Sequence, residues 1–321
     1  MFRPIFNIND NIQWTELSLN PNAIHLLEQN PDKINWRCLS ENPNAIYLIE
    51  QNPDKIYWHI LVRNPNAIHL IEQNLDKINC KMDWVWLSQN PNAIHLLEKN
   101  PDKINWVWLS QNPNAIHLLE KNPDKINWGR LSGNSNAIHL LEQNPDKIDR
   151  FCLASNPNAI HLLEQNTDPY NINWVDLSSN PNAIHLLEQN FDKINLCDLA
   201  LNPNAIHLLE KNLDRIPWEL SLNPNAIHLL EKNPNKINWR LLSTNPNAIH
   251  LLEKNPDRIH WNELSRNPNA IRLLVSLNHK KMKEQCKPFS EELVSYVFKP
   301  SRIERMSEKH NLEMEDYLEW L

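Results

Sequence analysis

Ten histidines stand in register along this chain: His25, His69, His95, His117, His139, His161, His185, His207, His228 and His250. Each is followed three residues later by a glutamate, so the chemistry to weigh first is that of imidazole with carboxylate: metal ligation, proton transfer or a charge switch. On a helix surface such a pair contributes only tenths of a kcal/mol. Successive histidines of a stacked helical array stand about one helix layer apart, roughly 8 to 10 Å, too far for two imidazoles to share one zinc at about 2.0 Å each. The ladder therefore predicts no metal site. Ten imidazoles that each gained a proton would change the charge of the array by up to ten on acidification, and that is the sharper reading of the ladder. A catalytic reading fails on another ground, because a reaction needs one preorganised pocket and not ten equivalent exposed pairs.

The remaining reactive residues are no more suggestive of catalysis. Cys38, Cys80, Cys152, Cys197 and Cys286 are odd in number and share no zinc-type spacing. There is no glycine-rich phosphate loop, no H-E-x-x-H and no G-x-S-x-G. No catalytic, cofactor-binding or metal-ligating residue is predicted, and neither is a cofactor or a small-molecule substrate. The formal charge of -7 disfavours nucleic acid and anionic membrane, which leaves protein partners as the expected class. No apolar leader and no run of eighteen apolar residues is present, so the expectation is a soluble cytosolic chain with reduced thiols.

What must position these residues is a 22-residue unit, Asn-Pro-Asn-Ala-Ile-His-Leu-Leu-Glu-[Gln/Lys]-Asn-Pro-Asp-Lys-Ile-Asn-Trp-x-x-Leu-Ser-x, written twelve times between Trp14 and Leu274. A fixed period of this size is the signature of a solenoid. In the copy that starts at Asn20, the asparagine caps a first helix over Pro21 to Gln29, with proline at its first position. Ala23, Ile24, Leu26 and Leu27 fall on its inner side. Asn30-Pro31-Asp32 repeats the punctuation and sets a turn anchored by Ile34. A second helix over Trp36 to Glu41 puts Trp36, Leu39 and Ser40 inward and positions 37 and 38 outward. Its start at the tryptophan is inferred from irregular copies: Asn79-Cys80-Lys81-Met82-Asp83 adds four residues before Trp84, Thr167-Asp168-Pro169-Tyr170 adds two, and Pro217 precedes Trp218 in a shortened copy. The fold class is all-α, a right-handed-type α-solenoid of about twelve two-helix repeats extending on the order of 100 Å along its path. Gly129, Gly133 and Ser135 mark one copy as either a soft joint or simple drift.

Solenoids need polar caps at both ends to cover the last apolar faces. Residues 1–13 are read as an N-terminal cap using Phe2, Ile5 and Phe6, residues 14–274 as the array, and residues 275–321 as a helical C-terminal cap or a tail module with a Lys-rich docking stretch.

The Asn-Pro-Asn-Ala-Ile-His-Leu-Leu-Glu and Asn-Pro-Asp-Lys-Ile-Asn-Trp units resemble the repeat proteins encoded in many copies by mimivirus-like giant DNA viruses, and the ending around Phe298 to Leu318 is similar to theirs. The resemblance implies a viral origin and a repeat architecture, with no activity, substrate or cofactor attached. Tyr47 and Arg272 depart from the repeat histidine, and Arg150 and Leu196 from the repeat tryptophan.

Since duplication copies neutral residues as faithfully as needed ones, the differences between copies are more informative. They concentrate in the two positions after the tryptophan, the second of which reads Glu16, Cys38, Ile60, Trp86, Trp108, Arg130, Cys152, Asp176, Asp198, Glu219, Leu241 and Glu263. Ile60, Trp86, Trp108 and Arg130 form the predicted protein-binding centre, since exposed Trp and Arg dominate binding hot spots. The competing reading makes both tryptophans extra core, partly covered by the next copy. Two variable positions per repeat also suggest an RNA-reading array, but the run Asp176, Asp198, Glu219 opposes phosphate tracking. The expected function is a non-enzymatic protein-interaction scaffold in the cytoplasm, the host's if the chain is viral; a structural virion component and an RNA binder are the alternatives.

Overall fold

A computed structural model of the chain describes residues 6–165, 172–215, 217–277 and 299. It is the expected all-α array of short paired helices joined by 3₁₀ turns. Phe2, Ile5, Cys286, the Lys-rich stretch and the C-terminal cap lie outside the described residues.

The copy beginning at Asn20 shows how the unit folds. Its first helix is Ile24–Gln29, three residues shorter than the sequence predicts. The reason is that Asn20 Oδ1 accepts the Asn22 N–H at 3.0 Å and closes a turn across the proline instead of capping a helix. Asn30 ends the helix by donating from Nδ2 to the Leu26 carbonyl at 2.8 Å, and Pro31–Lys33 makes a single 3₁₀ turn. The second helix, Trp36–Glu41, is capped by Asn35, whose Oδ1 accepts the Cys38 N–H at 3.1 Å. Ala23, Leu26, Leu27 and Leu39 are fully buried. Helices of six residues do not persist alone in water, so burial of these side chains, at about 1.5 to 3 kcal/mol for each leucine, has to come from stacking.

Polar groups set the register of the stack. Asn42 Nδ2 donates to the Ser18 and Asn20 carbonyls of the preceding copy at 3.0 and 3.1 Å, and Asn44 Nδ2 donates to the Pro21 carbonyl at 3.0 Å. Ser18 Oγ donates to the Trp14 carbonyl at 2.8 Å and accepts the Asn35 N–H of the next copy at 3.0 Å. The carbonyls that Asn42 meets are buried and would otherwise lack partners, so this asparagine is a required link, and the serine adds a second one. Lysines add to it: Lys55 lies 4.6 Å from the centre of the Trp36 ring and Lys125 4.7 Å from that of Trp106. The copy with Gly129, Gly133 and Ser135 keeps the same links, Asn134 to Ser110 and Asn156 to Ser132, and so is no looser in its bonding.

The first copy draws these same bonds from the twelfth. Asn20 Nδ2 donates to the Ser265 and Asn267 carbonyls at 3.0 and 2.9 Å, Asn22 Nδ2 to the Pro268 carbonyl at 2.9 Å, and the Gln13 N–H to Ser265 Oγ at 3.0 Å. The helix Trp14–Leu17 packs on Trp261–Arg266 as every second helix packs on its neighbour. Residues Asn11–Ile271, one of the two compact units of the chain, are thus a closed α-solenoid, a ring of stacked repeats. The sequence reading expected an array with a separate cap at each end; here the apolar face of the first copy is covered by the last. Second helices pack on one another more closely than first helices do, and that wedge bends the stack until it meets itself. In the other unit, Phe6–Ile8 pairs antiparallel with Val275–Leu277, Phe6 opposite Leu277 and Ile8 opposite Val275.

One irregular copy departs from the expectation that Trp opens the second helix. The four added residues are absorbed as an extra turn, so the helix runs Lys81–Gln89 and Trp84 lies buried inside it. In the shortened copy Trp218 does open the second element, the 3₁₀ segment Trp218–Leu222 with Pro217 directly before it, but its side chain is turned out, 68% exposed.

Candidate functional site

The histidine ladder is an inter-repeat clasp. Each of nine histidines, from His69 to His250, bonds through Nε2 to the glutamate of the preceding copy and not to the one three residues on: His69 to Glu50 at 2.8 Å, His117 to Glu98 at 3.0 Å, His139 to Glu120 at 2.6 Å, and His185 to Glu164. Glu72 accepts from both His95 and Lys99, and the Lys99 ammonium, with His95 second, holds its carboxyl below the usual range. The intra-repeat pairing expected from the sequence is corrected, because stacking brings the neighbouring copy's carboxylate to the imidazole.

The variable positions form a second ladder. Asp198 is pushed above the ordinary carboxylate range by burial, then by Asp176 and Glu219 in the copies on either side. Cys38 is raised by burial and by Glu16, and Arg266 of the twelfth copy is among the charges acting on it. Burial also raises Cys152 and Cys197, which makes these thiols poorer nucleophiles. The residues that differ from copy to copy thus stand side by side around the ring.

Ile60, Trp86, Trp108 and Arg130 occupy four successive rungs and all are half-buried, neither sealed core nor free surface. The Arg130 guanidinium lies 4.2 Å from the centre of the Trp108 ring and also donates to Gln111 at 3.3 Å. Arg63, which the sequence reading passed over, lies 4.5 Å from the centre of the Trp86 ring and 3.6 Å from Glu41. Glu41, Arg63, Pro65, Trp86 and Gln89 line an open pocket of about 320 Å³. In its wall, Gln89 Nε2 is the single buried side-chain polar atom without a hydrogen-bond partner among the described residues. No protein-family model, curated protein or solved structure matches the chain.

The structure also brings together three residues that sequence spacing had kept apart. His59 Nδ1 lies 2.8 Å from Asp83 Oδ1, Asp83 Oδ2 accepts the Cys80 N–H at 3.2 Å, and the donor atoms of His59, Cys80 and Asp83 all lie within 4.8 Å of one another. The available signal was the insertion itself, which brings Cys80 and puts Asp83 directly before the repeat tryptophan, opposite the only histidine at the first variable position. Among the described residues no helix is long and apolar enough to cross a membrane.

Proposed function

We propose that the protein is a non-enzymatic interaction scaffold whose ring presents a continuous lane of second-helix side chains to a protein partner. One observation carries the reading: Trp86 and Trp108 are half-buried on adjacent copies and each is faced by an arginine, Arg63 and Arg130. Stacked guanidinium and indole are the groups that most often dominate protein interfaces, because they combine apolar area with fixed donors. Further round, Asp176, Asp198 and Glu219 make an acidic arc. A partner with an apolar anchor and carboxylates for the aromatic sector, and basic groups for the acidic one, fits both. The arc disfavours RNA. By its resemblance in repeat and ending, the chain is a giant-virus protein acting in the host cytoplasm.

The test is partner capture with the double variant Trp86→Ala, Trp108→Ala alongside thermal unfolding. Loss of captured partners from a ring that still unfolds cooperatively near the parent temperature supports the scaffold. A ring that is strongly destabilised while its captured partners stay the same makes the tryptophans core and removes the patch. Recovery of crosslinked RNA, with affinity falling steeply as salt rises, would replace the reading with the nucleic-acid one.

A further inference from the structure

We propose that His59, Cys80 and Asp83 form a binding site for one zinc-class divalent ion, bridging the third and fourth copies of the ring. The three donor atoms, an imidazole nitrogen, a thiol sulfur and a carboxylate oxygen, lie within 4.8 Å of one another. This set suits a tetrahedral ion of borderline softness and suits magnesium or calcium poorly, since those take all-oxygen shells. Neighbouring ligands of a tetrahedral zinc stand about 3.3 Å apart. The 2.8 Å between His59 Nδ1 and Asp83 Oδ1 therefore has to open by only about half an ångström as the ion replaces the hydrogen bond.

The surroundings hold the ligands in place. Asp83 is 1% exposed, and its Oδ2 is tethered by the Cys80 N–H, which leaves Oδ1 directed at His59. Such an outer contact fixes a metal-binding carboxylate before the ion arrives. Cys80 is exposed and His59 is 62% exposed, so the ion has a path in and a water can complete the shell. On binding, the Cys80 thiol gives its proton to solvent and its thiolate forms the sulfur–metal bond, while His59 binds neutral and Asp83 ionised.

The position in the fold gives the ion a task. In regular copies a serine Oγ holds the amide ahead of the next second helix, as Ser110 holds Asn127 at 2.9 Å. The third copy has Val62 in that place and has no hydroxyl to offer. His59 lies in the helix Trp58–Leu61 and Asp83 in Lys81–Gln89, so a metal joining them clamps the two copies where the serine clamp is missing.

The experiment uses the full chain, stripped with a chelator and titrated with cobalt(II). One equivalent is expected to give tetrahedral visible bands together with a near-ultraviolet thiolate-to-cobalt charge-transfer band, both removed by zinc(II). Cys80→Ser abolishes the charge-transfer band; His59→Asn and Asp83→Asn each weaken binding by more than about tenfold. His59→Asn alters an exposed side chain, so its result stands even if loss of Asp83 disturbs the helix start. The site is disproved if no charge-transfer band appears at one equivalent, if the band survives Cys80→Ser, or if His59→Asn leaves affinity unchanged. Binding without a thiolate band points to the histidine ladder and also overturns the proposal.

Discussion

Set the fourth, fifth and sixth copies beside the three followed by irregular connectors, and one side chain separates them. Ser88, Ser110 and Ser132 each accept the amide 17 residues on, at Asn105, Asn127 and Asp149. The array has three copies without that serine, at Val62, Ala154 and Ala200. The connectors that follow are the three of abnormal length: four residues long by insertion at Asn79–Met82, two at Thr167–Tyr170, and one short at Pro217, which has no N–H to give. A hydroxyl that must meet one particular amide fixes connector length. Without the hydroxyl, length is free to vary. The asparagine ladder shows no such latitude, since Asn90, Asn180 and Asn223 of the irregular copies still bond to the copy before them. Two devices hold the ring: an invariant one between copies and a local one that can be dispensed with.

The largest effect expected from this contrast is at the asparagines. Asn112→Ala removes donors from the Ser88 and Asn90 carbonyls, both buried, and should cost about 2 to 4 kcal/mol. Asn20→Ala tests the closure. In a ring it strips the Ser265 and Asn267 carbonyls in the same way and costs as much as Asn112→Ala; in an open array Asn20 has no predecessor and its loss costs little. Urea unfolding midpoints of the two variants decide between these, and a much milder Asn20→Ala would break the ring.

A smaller effect is expected at the serines. Ser110→Ala leaves the Asn127 amide without its acceptor and should cost about 1 to 2 kcal/mol by the same unfolding measurement. Ser265→Ala should match it, because its Oγ takes the Gln13 amide across the closure. The reverse swap sharpens the contrast: Ala200→Ser should gain nothing, since proline stands in the following connector. A stabilised Ala200→Ser would mean the serine acts through its own helix, where Ser110 Oγ also bonds the Trp106 carbonyl.

The two-helix unit and its buried leucines could be read from the sequence because periodicity reports which faces are covered. Closure could not, since it depends on the unequal spacing of two helix layers. A trace of it was present nonetheless: the chain's first helical segment, at Trp14, is a second helix and the last copy, at Ile271, supplies a first helix, so the array begins and ends on complementary half-units. The turn at Asn20 was misread as a cap because an asparagine before proline serves either purpose, and only the partner across the repeat boundary, bonded to Nδ2, selects between them. Ile60, Trp86, Trp108 and Arg130 stand on adjacent rungs, a placement legible in the period, but Arg63 follows the end of a second helix and reaches Trp86 only through stacking. The same is true of His59 and Asp83, which are 24 residues apart and meet across a copy boundary.

The smallest predicted effect concerns charge in the irregular stretch, where Asp198 is flanked by Asp176 of the lengthened copy and Glu219 of the shortened one. Burial and these two carboxylates raise its folded pKa above the unfolded value, so the fold holds the proton more tightly than the open chain does. The stability gained in this way is complete below the unfolded pKa and is lost as pH rises through the folded one. At neutral pH the ionised carboxylate is therefore slightly unfavourable. Asp198→Asn should stabilise the ring there by no more than about half a kcal/mol once solvent screening is allowed for. In acid, where the native carboxyl is already neutral, the gain should vanish. Urea midpoints at both pH values check this, and a gain that persists or grows in acid would show that the residue acts through packing, in which case the acidic arc offers a basic partner no electrostatic reward.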